Sequence, residues 1–153
     1  MNASPNIQHI LVAHDFSENA EPALAYAVAI AEKFHARLTL MHAYERPTYA
    51  YPESLIEDFE FETKVDRAAA KALEGVASRV RSAAIPITLL LRKGTPSAEI
   101  VAAAEQTKAD LIVMGTHGRR GVSRALAGSV AESVVRTASC PVLTVHPSQP
   151  RHA

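Results

Sequence analysis

The chain is short of several things, and each shortage excludes something. It has one cysteine, Cys140, among 153 residues. An intrachain disulfide and a cysteine-cluster metal site are therefore ruled out. It has no tryptophan and only 5% aromatic residues. Its many Ala and Val residues point instead to helices packed closely on a sheet. It has no surplus of either charge, since 16 Lys and Arg balance 16 Asp and Glu. A dedicated binder of nucleic acid or of anionic membrane carries a cationic excess, so neither partner is expected, although a small basic patch fits inside a balanced total. No apolar run approaches the ~20 residues of a membrane span. Residues Met1 to Ile7 hold no basic segment followed by an apolar stretch, so no secretory leader is expected and a cytoplasmic location is. The chain has no G-x-x-x-x-G-K-[ST] and no G-x-G-x-x-G, which argues against an ordinary P-loop enzyme and a dinucleotide fold. Gly121-Val122-Ser123-Arg124-Ala125 lacks the second glycine of a nucleophile elbow.

What is present reads as a folded chain. Hydrophobic residues make up 48% and charged residues 21%, ordinary values for a globular protein. The length fits a single domain over 1–153, with an ordered core from about 6 to 147. Five short apolar runs read as strands: Ile10–Ala13 (starting near Ile7), Leu38–Ala43, Ile87–Leu91, Leu111–Met114 and Val142–Val145. They are near-continuous rather than alternating, as in strands covered on both faces. Between them lie helical stripes. Ala20, Leu24, Ala27, Val28, Ala31 and Phe34 form the first, with Pro22 in its opening turn. Val65, Ala68, Ala69, Ala72, Leu73, Val76 and Val80 form the second, with Ser54 and Glu57 as a capping box near its start. Thr95-Pro96 reads as N-cap and first residue of a third. Ser129 and Glu132 form a capping box for a fourth, which must stop by Cys140-Pro141. This β-α alternation predicts a doubly wound α/β fold, a parallel sheet with right-handed crossovers and helices on both faces. Tyr44 to Pro52 is the least regular stretch and is expected to fold over one end of the sheet.

Ligands of an open parallel sheet bind beyond the carboxyl ends of the strands. The first strand is followed by His14-Asp15-Phe16-Ser17, the second ends at Ala43-Tyr44, and the fourth opens into Gly115 to Ser129. That last loop holds four of the six glycines, at 115, 118, 121 and 128. Glycine lets backbone amides approach an anion. Gly128-Ser129 falls at a helix start, where free amides and the helix dipole favour phosphate. Arg119, Arg120 and Arg124 add positive charge, with no carboxylate between Gly115 and Ala131. Read singly, each residue has a plainer role: a glycine-rich loop, Ser129 as a cap, Asp15 as an Asx turn before the first helix.

Together these residues resemble the ATP-binding signature of the universal stress protein family. Gly115, two residues, Gly118, nine residues, then Gly128-Ser129 match its spacing. Ile10 to Ser17, the strand order and Asp110 to Gly118 extend the likeness over nearly the whole chain. The resemblance implies a Rossmann-like five-stranded sheet of order 3-2-1-4-5, so that the Asp15 turn and the Gly115 loop face each other. It implies that Asp15 holds the ribose hydroxyls or the adenine edge, that Ala13, His14 and Ala43 contact adenine, and that Met114 lines the pocket. Gly115, His117, Gly118, Gly128, Ser129 and Val130 would surround ribose and phosphates. His14 is bulkier than the small residue often found there, which would tighten the adenine pocket or stack on the base. The ligand implied is ATP, with Mg2+ accompanying it. The family also commonly dimerises through its last strand, and an apolar edge at Val142–Val145 agrees.

His14, His42 and His117 end or follow neighbouring strands in that order. A three-histidine metal site is chemically open to them, but the plainer reading has His42 along its strand and the other two beside nucleotide, so no metal is expected. Cys140 reads as a packed residue. Three functions follow. The first is an ATP-binding sensor or regulator in a stress response, with slow hydrolysis at most and no catalytic set. The second is a slow ATPase or a phosphotransferase that modifies its own Ser129. The third is a nucleotide-free interaction module.

Overall fold

The apolar runs do form the strands. In a computed structural model, β1 (His9–Ala13), β2 (Arg37–Tyr44), β3 (Ile87–Lys93), β4 (Leu111–Gly115) and β5 (Val142–Val145) alternate with α1 (Glu21–Phe34), α2 (Leu55–Val80), α3 (Pro96–Thr107) and α4 (Ser129–Thr137). A single 3-10 turn, Glu18–Ala20, precedes α1. The structure describes residues 4–45, 55–82, 84–117 and 128–147, with backbone alone for 55–59. Ser54, Tyr49, Tyr51, Gly118, Arg119, Arg120 and Arg124 lie outside the described residues. Among the described residues no helix is long and apolar enough to cross a membrane.

The five strands form one sheet in the order β3-β2-β1-β4-β5, and every neighbouring pair is parallel. Register puts Ile10 beside Leu38 and Leu111, and Val12 beside Leu40 and Val113. These side chains join Leu24 and Ala27 of α1 and Leu73 and Val76 of α2 in one core layer. The intervening residues Leu11, Met41, Ile112 and Met114 pack against Ile100 and Ala103 of α3 and Ala131 and Val134 of α4. Consecutive β1 residues are thus buried on opposite faces, which is why the run is apolar throughout. Each such aliphatic side chain contributes roughly 1.5–3 kcal/mol by leaving water. Alanines at 23, 27, 31, 103, 104 and 131 let the helices lie close to the sheet.

The proline signals hold. Pro22 sits in the first turn of α1, and Thr95 is the N-cap of α3 with Pro96 behind it. The α4 start is corrected: Gly128, not Ser129, is its N-cap, and no side chain caps it. The first turn closes through Glu132 N–H on the Gly128 carbonyl at 3.0 Å. Ser129 is therefore the first residue inside the helix, and the capping box with Glu132 does not form.

At the amino end of the sheet, polar groups are tied off in pairs. The Asp110 carboxylate accepts the Gln8 and His9 amides, each at 2.9 Å. His9 is 4% exposed. Its Nδ1 donates to the Thr107 carbonyl at 3.1 Å, which leaves Nε2 to accept from Thr39 Oγ1 at 2.7 Å.

Candidate functional site

At the carboxyl end the chain leaves adjacent strands in opposite directions. After β1 it turns to α1 on one face, and after β4 it goes to α4 on the other. This is the topological switch point of the sheet.

The two connections touch at Gly115. A Cβ there would stand 2.9 Å from the Asn19 carbonyl oxygen. Glycine is needed because backbone approaches backbone, bringing the 3-10 turn against the end of β4. The other side of the site is fixed by Thr116, which is 2% exposed. Its amide donates to the Val145 carbonyl at 3.1 Å, and its carbonyl accepts the Gly128 amide at 2.5 Å. The start of α4 is thus held beside the end of β4. A helix start leaves its first amides without carbonyl acceptors in the helix. Here those are Ser129, Val130 and Ala131, and Ser129 is exposed. They form the positive end of the α4 dipole.

Beneath them lies an apolar floor. Ala13 and Ala43, at the ends of β1 and β2, and Val130 of α4 are half-buried against the cluster that contains Met41 and Met114. Two alanines in this row present only methyl groups.

The Asp15 turn is built tightly. Asp15 Oδ1 accepts the Ser17 amide at 3.0 Å and the Ser17 hydroxyl at 2.5 Å. Phe16 takes the left-handed conformation, φ 66°, which costs a non-glycine residue about 1–3 kcal/mol. Its ring packs against the α1/α2 core and lies 4.2 Å from the His42 ring, centroid to centroid. The His14 side chain belongs to this layer as well. It is buried, and its Nδ1 accepts the Phe16 amide at 3.0 Å. Its Nε2 lies 3.3 Å from Glu21 Oε1, close enough to pair but poorly aligned for a hydrogen bond. Arg79 of α2 holds the same Glu21 oxygen at 2.7 Å. Burial lowers the His14 pKa, opposed by the nearby Glu21 and Asp15 carboxylates. Burial likewise lowers that of His9 and raises that of the Cys140 thiol.

Ala13, Ala43, Met114 and Val130 therefore gather on the α3/α4 side, with Gly115, His117, Gly128 and Ser129 at its rim. Asp15 lies at the end of β1, while the His14 ring belongs to the opposite layer. Gly118 and the three arginines fall outside the described residues. His42 donates from Nδ1 to the His14 carbonyl at 2.8 Å, and His117 Nδ1 lies 2.9 Å from Thr116 Oγ1. Among the described residues no three His, Cys, Asp or Glu side chains gather as a metal site.

The structure also brings in residues that the sequence did not single out. Asn19 shapes the site through its carbonyl, and Thr116 through three groups. His146, just past β5, places Nδ1 3.3 Å from the Thr116 hydroxyl. The rule that functional residues follow strand ends, applied to β5, points to His146. Nothing in the sequence marks Asn19.

Residues 6–146 match the universal stress protein family. The chain belongs to that family. A universal stress protein of Thermus aquaticus is 41% identical over 142 residues, covering 89% of this chain and 96% of its own length. The solved structure of a universal stress protein from Lactobacillus plantarum superposes with a TM-score of 0.81 at 29% identity, covering 94% of this chain and 99% of that one. A family member solved in complex with cAMP superposes with a TM-score of 0.61 at 26% identity, covering 94% and 99%.

Proposed function

We propose that this universal stress protein binds an adenine nucleotide, ATP, at the β1/β4 switch point and works as a nucleotide-dependent sensor or regulator in a stress response. The observation that carries the reading is the Gly128 amide on the Thr116 carbonyl. It fixes the start of α4 at the end of β4, two residues past Met114 of the floor. A flat base suits the alanine floor, a ribose diol suits a carboxylate acceptor such as Asp15, and phosphates suit the helix start. Mg2+ would accompany the phosphates. The family member solved with cAMP supports an adenine nucleotide in this fold. The His14 ring, sequestered in the α1/α2 layer, does not itself fill the alanine floor, which counts against a nucleotide-free module.

In this reading the protein is a cytoplasmic homodimer paired through β5, a sheet edge, without nucleic-acid or membrane partners. Light scattering showing a monomer at micromolar concentration would refute the dimer. Mass spectrometry of copurifying small molecules, followed by calorimetry with ATP, AMP and cAMP, tests the ligand. Saturable binding of an adenine nucleotide is expected, and none for any of the three overturns the reading. The exposed Ser129 at the phosphate end favours one second reading, slow hydrolysis or self-phosphorylation. Multiple-turnover phosphate release that disappears in Ser129→Ala would establish it.

A further inference from the structure

We infer that His14 and His42 are positioning residues, a two-imidazole clamp that holds Asp15 in its ligand-facing orientation without touching the ligand through their own rings. The inference rests on the nucleotide-binding reading of Asp15 and gives that site a built-in support. Asp15 lies between two peptide groups, and each is held by a different imidazole. The carbonyl of His14 accepts His42 Nδ1–H at 2.8 Å, and the amide of Phe16 donates to His14 Nδ1 at 3.0 Å. A carbonyl only accepts and an amide only donates, so both tautomers are fixed: His42 carries its proton on Nδ1 and His14 carries its proton on Nε2. The rings therefore cannot exchange roles.

The clamp also explains a left-handed phenylalanine. Nothing about Phe16 favours a positive φ, yet the turn that aims Asp15 requires one. His14 secures the Phe16 amide, and His42 packs on its ring at 4.2 Å between centroids, tilted by 36°. The support continues outward. Tyr44 stacks on His42 with centroids 5.9 Å apart and an interplanar angle of 15°. Its hydroxyl donates to Asp66 of α2, which Lys93 also pairs at 2.7 Å. On the other side His14 Nε2 faces Glu21, tied to Arg79. His42 is thus braced from α2 through Tyr44 and Asp66, and His14 faces the Glu21–Arg79 pair that joins α1 to α2, so the orientation of Asp15 is set by the layer behind the sheet. A preorganised carboxylate binds without first being ordered, which raises affinity.

The test measures ATP affinity by calorimetry on the full chain for wild type, Asp15→Asn, His14→Leu, His14→Asn, His42→Phe and the double variant His14→Leu/Asp15→Asn. Asparagine places its Oδ1 near the position of imidazole Nδ1 and can still accept the Phe16 amide. His14→Leu and His42→Phe are expected to weaken ATP binding by roughly tenfold, the size of one lost structural hydrogen bond. His14→Asn is expected to restore most of that loss. Because His14 acts through Asp15, adding His14→Leu to Asp15→Asn is expected to cost little more. Wild-type affinity in His14→Leu, equal losses in Leu and Asn, or full additivity in the double variant would each overturn the clamp. If Asp15→Asn weakens ATP and His14→Leu does not, the site reading stands and the clamp alone falls. If wild type binds no adenine nucleotide, both fall.

Discussion

The two ends of the sheet use the same residue types for opposite purposes. At the amino end a histidine, a threonine and an aspartate, His9, Thr39 and Asp110, satisfy one another and the backbone, the Thr107 carbonyl included. At the carboxyl end His14, Asp15, Thr116 and His117 accompany a left-handed phenylalanine, a glycine pressed against a carbonyl, and a helix start whose first amides have no acceptor within the helix. Residue type does not separate a staple from a site; position along the strand direction does. Parallel strands send all their carboxyl ends to one side, and there the connections part to opposite faces and bring a helix start to the sheet.

Substitutions at the two ends should split stability from binding. Asp110→Ala removes an acceptor from two backbone amides at once. It should cost about 2–3 kcal/mol of stability, read as a lowered denaturation midpoint, while ATP affinity of the folded protein stays unchanged. Gly115→Ala should cost less stability, about 1–2 kcal/mol from overpacking, yet abolish ATP binding, because the new methyl pushes the Asn19 turn off β4. If Asp110→Ala lost binding, or Gly115→Ala kept it, the division between the two ends would fail.

Most of this frame was legible in the sequence because it depends on hydrophobic continuity. The runs around Ile10–Ala13 and Leu111–Met114 are buried on both faces, and a strand covered on both faces is apolar at successive positions. The prolines at 22 and 96 marked helix starts because their geometry permits little else. The capping box at Ser129 misled by one residue, since the Thr116 carbonyl draws the Gly128 amide back across the loop and moves the cap to the glycine. No local pattern encodes that tertiary hydrogen bond. The same limit applies to Gly115, whose motif was visible but whose immediate neighbour, the Asn19 carbonyl, was not. His14 shows it most clearly. Its place after β1 marked it as a site residue, but only register shows its ring entering the α1/α2 layer beside His42.

Acid should separate the ends more finely. Burial lowers the pKa of both His9 and His14. The unfolded chain takes up protons near pH 6.5, while these folded groups resist until lower pH. Their stabilising contribution is therefore complete above about pH 6.5 and declines as pH falls below it. His9→Gln should flatten part of the melting-temperature decline below that pH without altering ATP affinity. Protonating His14 removes the acceptor for the Phe16 amide, so wild-type ATP affinity should also fall in acid. His14→Asn, which has no titrating group there, should lose part of that dependence. Identical affinity-against-pH curves for wild type and His14→Asn would show that the Phe16 turn does not communicate with the ligand.

The smallest expected effect lies inside α4, where Glu132 occupies the first turn and pairs with Arg136 at 2.6 Å. A carboxylate near a helix start stabilises the helix, but it also competes for the same dipole with any phosphate bound there. Both side chains are well exposed, so the pair itself contributes little, about 0.3–0.5 kcal/mol. Glu132→Gln loses both the pair and its favourable place at the helix start, so it should lower stability by about 0.5–1 kcal/mol, and it should strengthen ATP binding two- to threefold, roughly the lower half of the range for one charge at a helix end. The gain should shrink as salt rises, because exposed charges are screened over about 10 Å at 0.1 M. AMP should gain less than ATP, since its shorter phosphate brings less charge to the amides of Ser129 and Val130. Equal gains for AMP and ATP would locate the effect at the ribose side and detach the helix start from the phosphates.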